Sequence, residues 1–511
     1  MYKIILFSSI ICLLLIRGEK MGVFDFLNYK TIDSDKLHEA FKVEPEVSPV
    51  MKDSISLWRD IYVGEAPWIV EDNNLVSGLF MAGTERTKSL NMGKLVSSEL
   101  SRLSTLDIDI QVTGSSRAIY LQELINVFRI KLREKLELGV ALGGLFFKPN
   151  SNGIDFVTPY NYIPITFDGN ENVTSIIFID KILKGKDIYV RGEYHDFNED
   201  RYIIENKAFI SKDGSYDMKE INLENVPEWQ DLKPYFEIRG LEKPLFSQFK
   251  MPGTNNIDMF SPLGVSCYSN AIDQLEDLDI AYTRMVDEIY GSNKILFLSQ
   301  YAIDESSLKT SYSKPKLPNY VRGLEMGVNA ENTIHEHNPV IQTDIRKNGI
   351  NLLLSFIGYS CGFSNGYFQF NEKTGLVTAT QIEADQQRTV QTVADIRQEL
   401  QESINNLIYA IDEFANIYKL APKGTYETNF YFKDITANFD EDRIRNIGLV
   451  KDKIIPKWKY LVEFEGYTEE DAKLMVLEAE QGIKEPEQDT ELPIKEAPEE
   501  DTEEIDVEEV K

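Results

Sequence analysis

The pentapeptide Gly358-Tyr359-Ser360-Cys361-Gly362 matches GxSxG, the turn that presents a nucleophilic serine in many hydrolases. That turn needs a strand before it, a helix after it and a histidine later in the chain. Ile350–Ile357 passes as a strand, but FSNGYFQF (363–370) does not begin a helix. The last histidine, His337, lies upstream of Ser360, so the order Ser, acid, His cannot be made. The segment reads instead as a glycine loop. His335-Glu336-His337 places two imidazoles on one side of a strand, yet no further ligand follows at metal-binding spacing. Gly83-Thr84-Glu85-Arg86-Thr87-Lys88-Ser89 falls short of a phosphate-cradling loop by one glycine and one position. Neither GxGxxG nor HExxH occurs. With 84 Asp and Glu, close carboxylate pairs arise by chance and do not point to a glycosidase. The expectation is a protein that is not an enzyme, with no metal and no cofactor.

The 511 residues carry 54 Lys and Arg, giving a formal charge of −30, with 42% hydrophobic and 11% aromatic residues. This is globular composition on a chain long enough for more than one compact region. Three cysteines (Cys12, Cys267, Cys361) lie far apart, which excludes a disulfide scaffold and a cysteine-rich zinc fold. The acidity argues against a protein that coats nucleic acid by neutralising phosphates.

Residues 4–16 (IILFSSIICLLLI) form an apolar run behind Lys3, short for a membrane span. A signal peptide, an anchor and a start codon placed too early all fit 1–20. The lack of a small-x-small cleavage site and the ordinary start MGVFDFLNYK at Met21 favour the third. Residues 481–511 are acidic, without aromatic residues or apolar periodicity, and are expected to be a disordered tail.

Between these ends the pattern changes several times. Residues 50–145 are mainly helical, with apolar residues from Leu121 to Val140 spaced by three and four and a Gly143-Gly144 stop. Residues 145–245 hold short strands (163–167, 175–182, 187–194, 201–210) separated by DGNEN, KGKD, NED and SKDGS, an antiparallel meander. Ser261 as cap and Pro262 as first helical residue start a helix over 261–289, with apolar residues from Tyr268 to Ile289 and an acidic opposite face. That face carries Asp273, Glu276, Asp277, Asp279, Asp287 and Glu288. A non-helical insert with one strand, Lys294–Ser299, fills 290–338, and a second helix runs over 339–357. The glycine- and aromatic-rich loop at 358–377 leads to a helix over 378–420 that is expected to cross between regions or to pack on other subunits. A strand (425–432) and acidic helices near 440–455 and 468–481 follow.

This order, together with Trp58-Arg59-Asp60-Ile61-Tyr62, Ala66-Pro67-Trp68, Leu90-Asn91-Met92, Leu142-Gly143-Gly144, Lys148-Pro149, Ser261-Pro262-Leu263-Gly264-Val265-Ser266, Leu278-Asp279, Thr378-Ala379-Thr380-Gln381, Asn438-Phe439-Asp440-Glu441 and Glu469-Glu470-Asp471-Ala472, resembles the portal proteins of tailed double-stranded-DNA bacteriophages, in the subgroup from siphophages of Gram-positive hosts. The resemblance covers about 50 to 480. It departs at the leader and at Gln381, where the family has Glu.

The resemblance implies an α+β portal fold assembled as a homo-oligomeric ring of about twelve copies at one capsid vertex. The ring would be the channel for genome packaging and ejection, a head-tail connector without enzymatic activity. It would meet the terminase large subunit, head-completion (connector) proteins, scaffold and major capsid protein, and double-stranded DNA without sequence preference. It would reside in the virion, and in the host cytoplasm during assembly. In family terms 21–260 is the wing, 261–289 and 339–357 the stem, 290–338 the clip and 358–377 the tunnel loop. The long helix at 378–420 belongs to the wing, and 421–480 holds a wing strand and the crown. Sliding DNA needs a wall that does not hold phosphates tightly. Asp273, Glu276 and Asp277 are therefore candidates to line the channel, with Arg346, Lys347 and Lys373 as bases that touch passing phosphates. Lys294, Lys309, Lys314, Lys316 and Arg322 are candidates for partner contact at the clip. A rival reading keeps the leader as a true signal or anchor, with the meander binding a ligand and Asn172-Val173-Thr174 as a glycosylation site.

Overall fold

A computed structural model gives the fold, and describes residues 34–481 apart from 46, 70, 73–84, 151–152, 199–200, 213–217, 292–294, 300–319, 325–333, 338–341, 371–378, 434–445, 452, 454 and 466. The leader and the acidic tail lie outside the described residues. The chain is α+β and divides into two units, one through Thr436 and one from Ala437.

The first unit opens with α1 (Ser34–Phe41) and α2 (Pro49–Val63). The Ser48 side chain caps α2 by accepting from the Met51 amide at 3.3 Å, with Pro49 in the first turn. A short antiparallel pair, β1 (Glu71–Asp72) and β2 (Glu85–Arg86), precedes α3 (Met92–Ser104), β3 (Asp109–Gly114) and α4 (Ser116–Leu142). α4 buries Leu121, Ile125, Phe128, Leu132, Leu136 and Val140, the stripe that the spacing predicts. Gly143 ends it at φ +89°, where a Cβ would stand 2.4 Å from the Gly264 carbonyl oxygen, so only glycine fits.

β4 (Gly144–Asn150) and β5 (Gly153–Val157) pair with β12 (Ser247–Lys250) in a three-stranded sheet ordered β12-β4-β5. The meander is present: β6 (Tyr162–Phe167), β7 (Val173–Lys184), β8 (Asp187–Asn198), β9 (Arg201–Ser211) and β10 (Met218–Ile221) neighbour one another in chain order, and β11 (Tyr235–Ile238) pairs with β9. The polar clusters at 168–172 and 184–187 fall at its turns, and 199–200 lie outside the described residues.

α5 (Ile272–Gly291) begins eleven residues after the expected cap Ser261. Residues 261–271 run against the end of α4 instead. The Cys267 amide donates to the Val140 carbonyl at 3.1 Å and the Ser261 hydroxyl accepts from Leu263 at 3.4 Å, before a 3-10 turn at Ser269–Ala271. One amide thus bonds a neighbouring helix end while the Ser261, Leu263, Tyr268, Ser269 and Ala271 amides are satisfied locally, and this turn-rich path takes the place of a capped helix start.

The insert holds three described strands rather than one. β13 (Ile295–Ser299) is central between β14 (Tyr320–Leu324), parallel, and β15 (Ile334–His337), antiparallel. α6 (Thr343–Ser360) then starts later and ends later than expected, and α7 (Ala379–Tyr418) spans about 60 Å at 1.5 Å per residue. β16 (Tyr426–Tyr431) returns to pair with β3.

α7 lies along the first unit. Val393, Ile396, Leu400, Ile404, Leu407 and Ile411 are buried in the same core as α3 and α4. One face lies along the unit while Gln387, Gln391, Gln398, Gln401 and Glu402 face solvent. In the second unit α8 (Lys457–Glu465) and α9 (Glu469–Gln481) form a helix pair, with Lys473 4.7 Å from the Trp458 ring centre.

Candidate functional site

α5 and α6 form an antiparallel pair that carries the described channel-lining candidates, the acids near the start of α5 and the bases near the start of α6, at opposite ends of the pair. The start of α5 lies at the end of α6, which packs on the Ser269–Ala271 turn. At the other end Glu288 accepts from Arg346 Nε at 2.7 Å and from the Gln342 amide at 2.9 Å. These two amide and guanidinium bonds hold the Glu288 carboxyl below its ordinary range. The chain between the helices carries β13–β15.

Asp273 and Asp277 are exposed and Glu276 is half-buried on α5. Asp273, Asp277, Ile280 and Arg284 recur at steps of four, three and four, opposite the buried Ala271, Leu275 and Leu278. Among the described residues neither Asp273 nor Asp277 forms an ion pair. The acidic face is nonetheless shorter than the sequence implies. Asp279 is 5% exposed, and its carboxylate accepts from the Trp68 indole at 3.0 Å and the Leu90 amide at 2.8 Å. Burial pushes this carboxyl up. Asp287 stands 3.6 Å from Lys88 Nζ, and Glu288 is held by Arg346.

Of the candidate bases, Arg346 and Lys347 are exposed on the first turns of α6, and Arg346 is engaged by Glu288. Lys373, Lys294, Lys309, Lys314 and Lys316 lie outside the described residues. Arg322 sits in β14 in register with Leu298.

The expected glycine loop is fixed over its described part. Phe363, Tyr367 and Phe368 form a mutual aromatic cluster with ring centres 4.7 to 5.0 Å apart. The Ser364 amide donates to Thr389 Oγ1 at 2.9 Å, the Phe370 amide donates to Asn351 Oδ1 at 3.1 Å, and Tyr367 bonds Glu99. The GxSxG residues do not make a strand-to-helix turn, because Gly358, Tyr359 and Ser360 are the last turn of α6. Burial pushes the neighbouring Cys361 thiol far up and the Cys267 thiol to about 12, so neither is a thiolate at neutral pH. No hydrogen bond joins a histidine to Ser360 among the described residues. His195, in β8, bonds Tyr202 and Glu193 instead. His335 and His337 lie in β15 opposite Phe297 and Ile295, and no group of metal ligands occurs among the described residues.

A surface cavity of about 640 Å³ lies on the meander, lined by Val43, Glu44, Thr166, Ser175, Tyr194 and Asp196. Thr166 donates to Ser175 and Ser175 to Asp196, at 2.7 and 2.6 Å.

Two features of the α5–α6 pair escape sequence reading. The Trp68–Asp279 bond joins residues 211 apart, and its only signal is a carboxylate inside an apolar stripe. The second is that α6 is apolar on both faces, with Ile350, Leu354 and Ile357 buried and Ile345, Leu352, Phe356 and Tyr359 exposed.

No helix among the described residues is long and apolar enough to cross a membrane. No protein-family model matches the chain, and no curated protein matches it.

Proposed function

We propose that this chain is the subunit of a portal-like ring, a channel through which double-stranded DNA passes into and out of a capsid. The observation that carries the reading is the α5–α6 pair. Two antiparallel helices are joined by an insert that holds a small sheet, and the first carries an acidic face with Asp273 and Asp277 exposed. An acidic wall repels phosphates and lets a duplex slide without being gripped. In this reading Asp273 and Asp277 line the channel and Glu276 flanks them. Arg346, paired with Glu288, and Lys347 are the described bases of the channel-lining set that touch passing phosphates. β13–β15 form the clip that meets terminase and connector proteins, the meander belongs to the wing and α8–α9 to the crown.

The test is the mass of the full-length protein by light scattering. The monomer is 58.6 kDa, so about twelve copies give roughly 700 kDa. A particle of that size with an axial hole supports the reading. A monomer that takes up a small ligand contradicts it. The rival reading, a ligand-binding protein with a cleaved leader, has the meander cavity in its favour. It predicts processing near residue 20 and no ring.

A further inference from the structure

The meander cavity of about 640 Å³ has no part in the ring reading. Its volume falls within the range of small-molecule sites, about 300–1,000 Å³. Two distant parts of the chain build it: the Val43-Glu44 segment after α1, and residues of β6, β7 and β8. Packing holds the segment in place. Leu37 and Phe41 of α1 are buried in one apolar cluster with Ile165 and Ile177. Lys207 Nζ donates to the Ala40 carbonyl at 2.6 Å, and the Val43 amide donates to the His38 carbonyl at 3.1 Å.

A row of hydroxyls in the cavity has a fixed direction. Thr166 and Ser175 are cross-strand partners, as are Ser175 and Asp196. Ser175, 2% exposed, donates to Asp196 Oδ1 at 2.6 Å, and Thr166 donates to Ser175 at 2.7 Å. A hydroxyl has one proton to give, so Thr174, 2.8 Å from Thr166 Oγ1, is the donor of that pair. All three protons run toward Asp196. The Thr174 oxygen and the second oxygen of Asp196 are left as acceptors.

Glu44 adds an exposed carboxylate. Among the described residues neither Glu44 nor Asp196 has a basic partner, and no Lys, Arg or His lines the cavity. The third carboxylate, Asp168, is engaged by its own loop, where it accepts from the Asn170 and Asn172 amides at 2.8 Å. Val43, Ile165 and Tyr194 supply an apolar lining. Open acceptors and uncompensated charge beside apolar surface select a cation that carries N–H donors on an apolar stem. A bare metal ion fits less well, because no group of three or more His, Cys, Asp or Glu that could hold one occurs among the described residues.

We propose that this cavity binds an alkylammonium group, with its N–H donors on Asp196, Glu44 and Thr174 and its stem on Val43, Ile165 and Tyr194. A free amine and a lysine side chain of another protein share this chemistry. The inference goes beyond the ring reading and does not rest on it, since the cavity is built within one chain.

The test is calorimetric titration of the full-length protein, in low-salt buffer free of amines, with pentylammonium, uncharged pentanol, Nα-acetyl-lysine amide and calcium. The inference expects saturable uptake of pentylammonium and none of pentanol. Asp196→Asn should weaken the uptake about tenfold or more, the worth of one charge-assisted hydrogen bond. Glu44→Gln, at an exposed position, should weaken it about threefold. Glu224→Gln, at an exposed acid outside the cavity, should leave it unchanged. Glu44→Gln carries the test if circular dichroism shows that Asp196→Asn does not fold. Uptake of acetyl-lysine amide as well supports the site and assigns it to a lysine side chain, while uptake of pentylammonium alone supports it and assigns it to a free amine. No saturable uptake, equal uptake by all the variants, or calcium that displaces pentylammonium and is itself lost with Asp196→Asn overturns the inference. Light scattering decides the ring reading separately, so either can fail while the other stands.

Discussion

The Trp68 indole donates to the buried carboxylate of Asp279 at 3.0 Å, which ties Trp68 to α5. The Leu90 amide shares that carboxylate. Removing the acceptor strands two donors, so Asp279→Ala costs about 2–4 kcal/mol. Asp279→Asn keeps one acceptor and costs about half as much. Burial raises this carboxyl in the fold, so its contribution is fully present below the ordinary carboxylate range and declines as pH rises through the folded value. The Asn variant should therefore lose less at pH 8 than at pH 4, measured by urea titration. An equal loss at both pH values contradicts this.

The meander should weaken in acid. Burial holds the His195 imidazole below its ordinary value, against the pull of Glu193. Burial also works to raise the Glu193 carboxyl, but Lys148, His195 and Arg191 together hold it well below the ordinary range. Both are depressed, so both contributions are complete above the ordinary values and are lost as pH falls, His195 first below about 6.5 and Glu193 below about 4.5. His195→Gln should flatten the melting temperature between pH 7 and 5 and leave the steeper fall below pH 4. An unaltered slope between pH 7 and 5 rules out His195 as the source.

How far the chain can be read without coordinates follows from the range of each interaction. The meander was legible because strand alternation and turn clusters are local, and α4 and α7 because their stripes have a helical period. The start of α5 was not, because the Cys267 amide bonds Val140 of α4, far away in sequence, and the rest of 261–271 closes into local turns. β14 and β15 escaped because strands of four or five residues carry too few alternations. The acidic face of α5 was legible as composition, but the burial of Asp279 depends on Trp68. The apolar outer face of α6 reads in sequence as ordinary core.

Arg117 on α4 is almost fully buried and faces Asp412 of α7 at 3.1 Å, with Asn416 beside it. Arg117→Ala leaves the half-buried carboxylate without its partner, at a cost of about 3–5 kcal/mol. Arg117→Met with Asp412→Leu should recover most of that loss. Calorimetry on the four proteins of this cycle checks it, and additive losses would show that the pair is not coupled.

Gln401 is exposed on α7 between the buried Leu400 and Ser403. Proline there removes one helical hydrogen bond and clashes with the preceding turn, at a cost of about 3 kcal/mol or more, whereas alanine is nearly neutral. Because the helix is part of the core, Gln401→Pro should lower the stability of the first unit and abolish assembly together. Normal assembly with a lowered denaturation midpoint would separate the helix from the ring.

The central claim is that the outer face of α5 lines a channel made by many copies of this chain. The direct measurement is end-on electron imaging of full-length Asp277→Cys, in a Cys12→Ser background, labelled with a maleimide gold cluster. The account predicts rings with gold at the axial hole. Gold on the outer rim, or labelled protein that forms no ring, contradicts it.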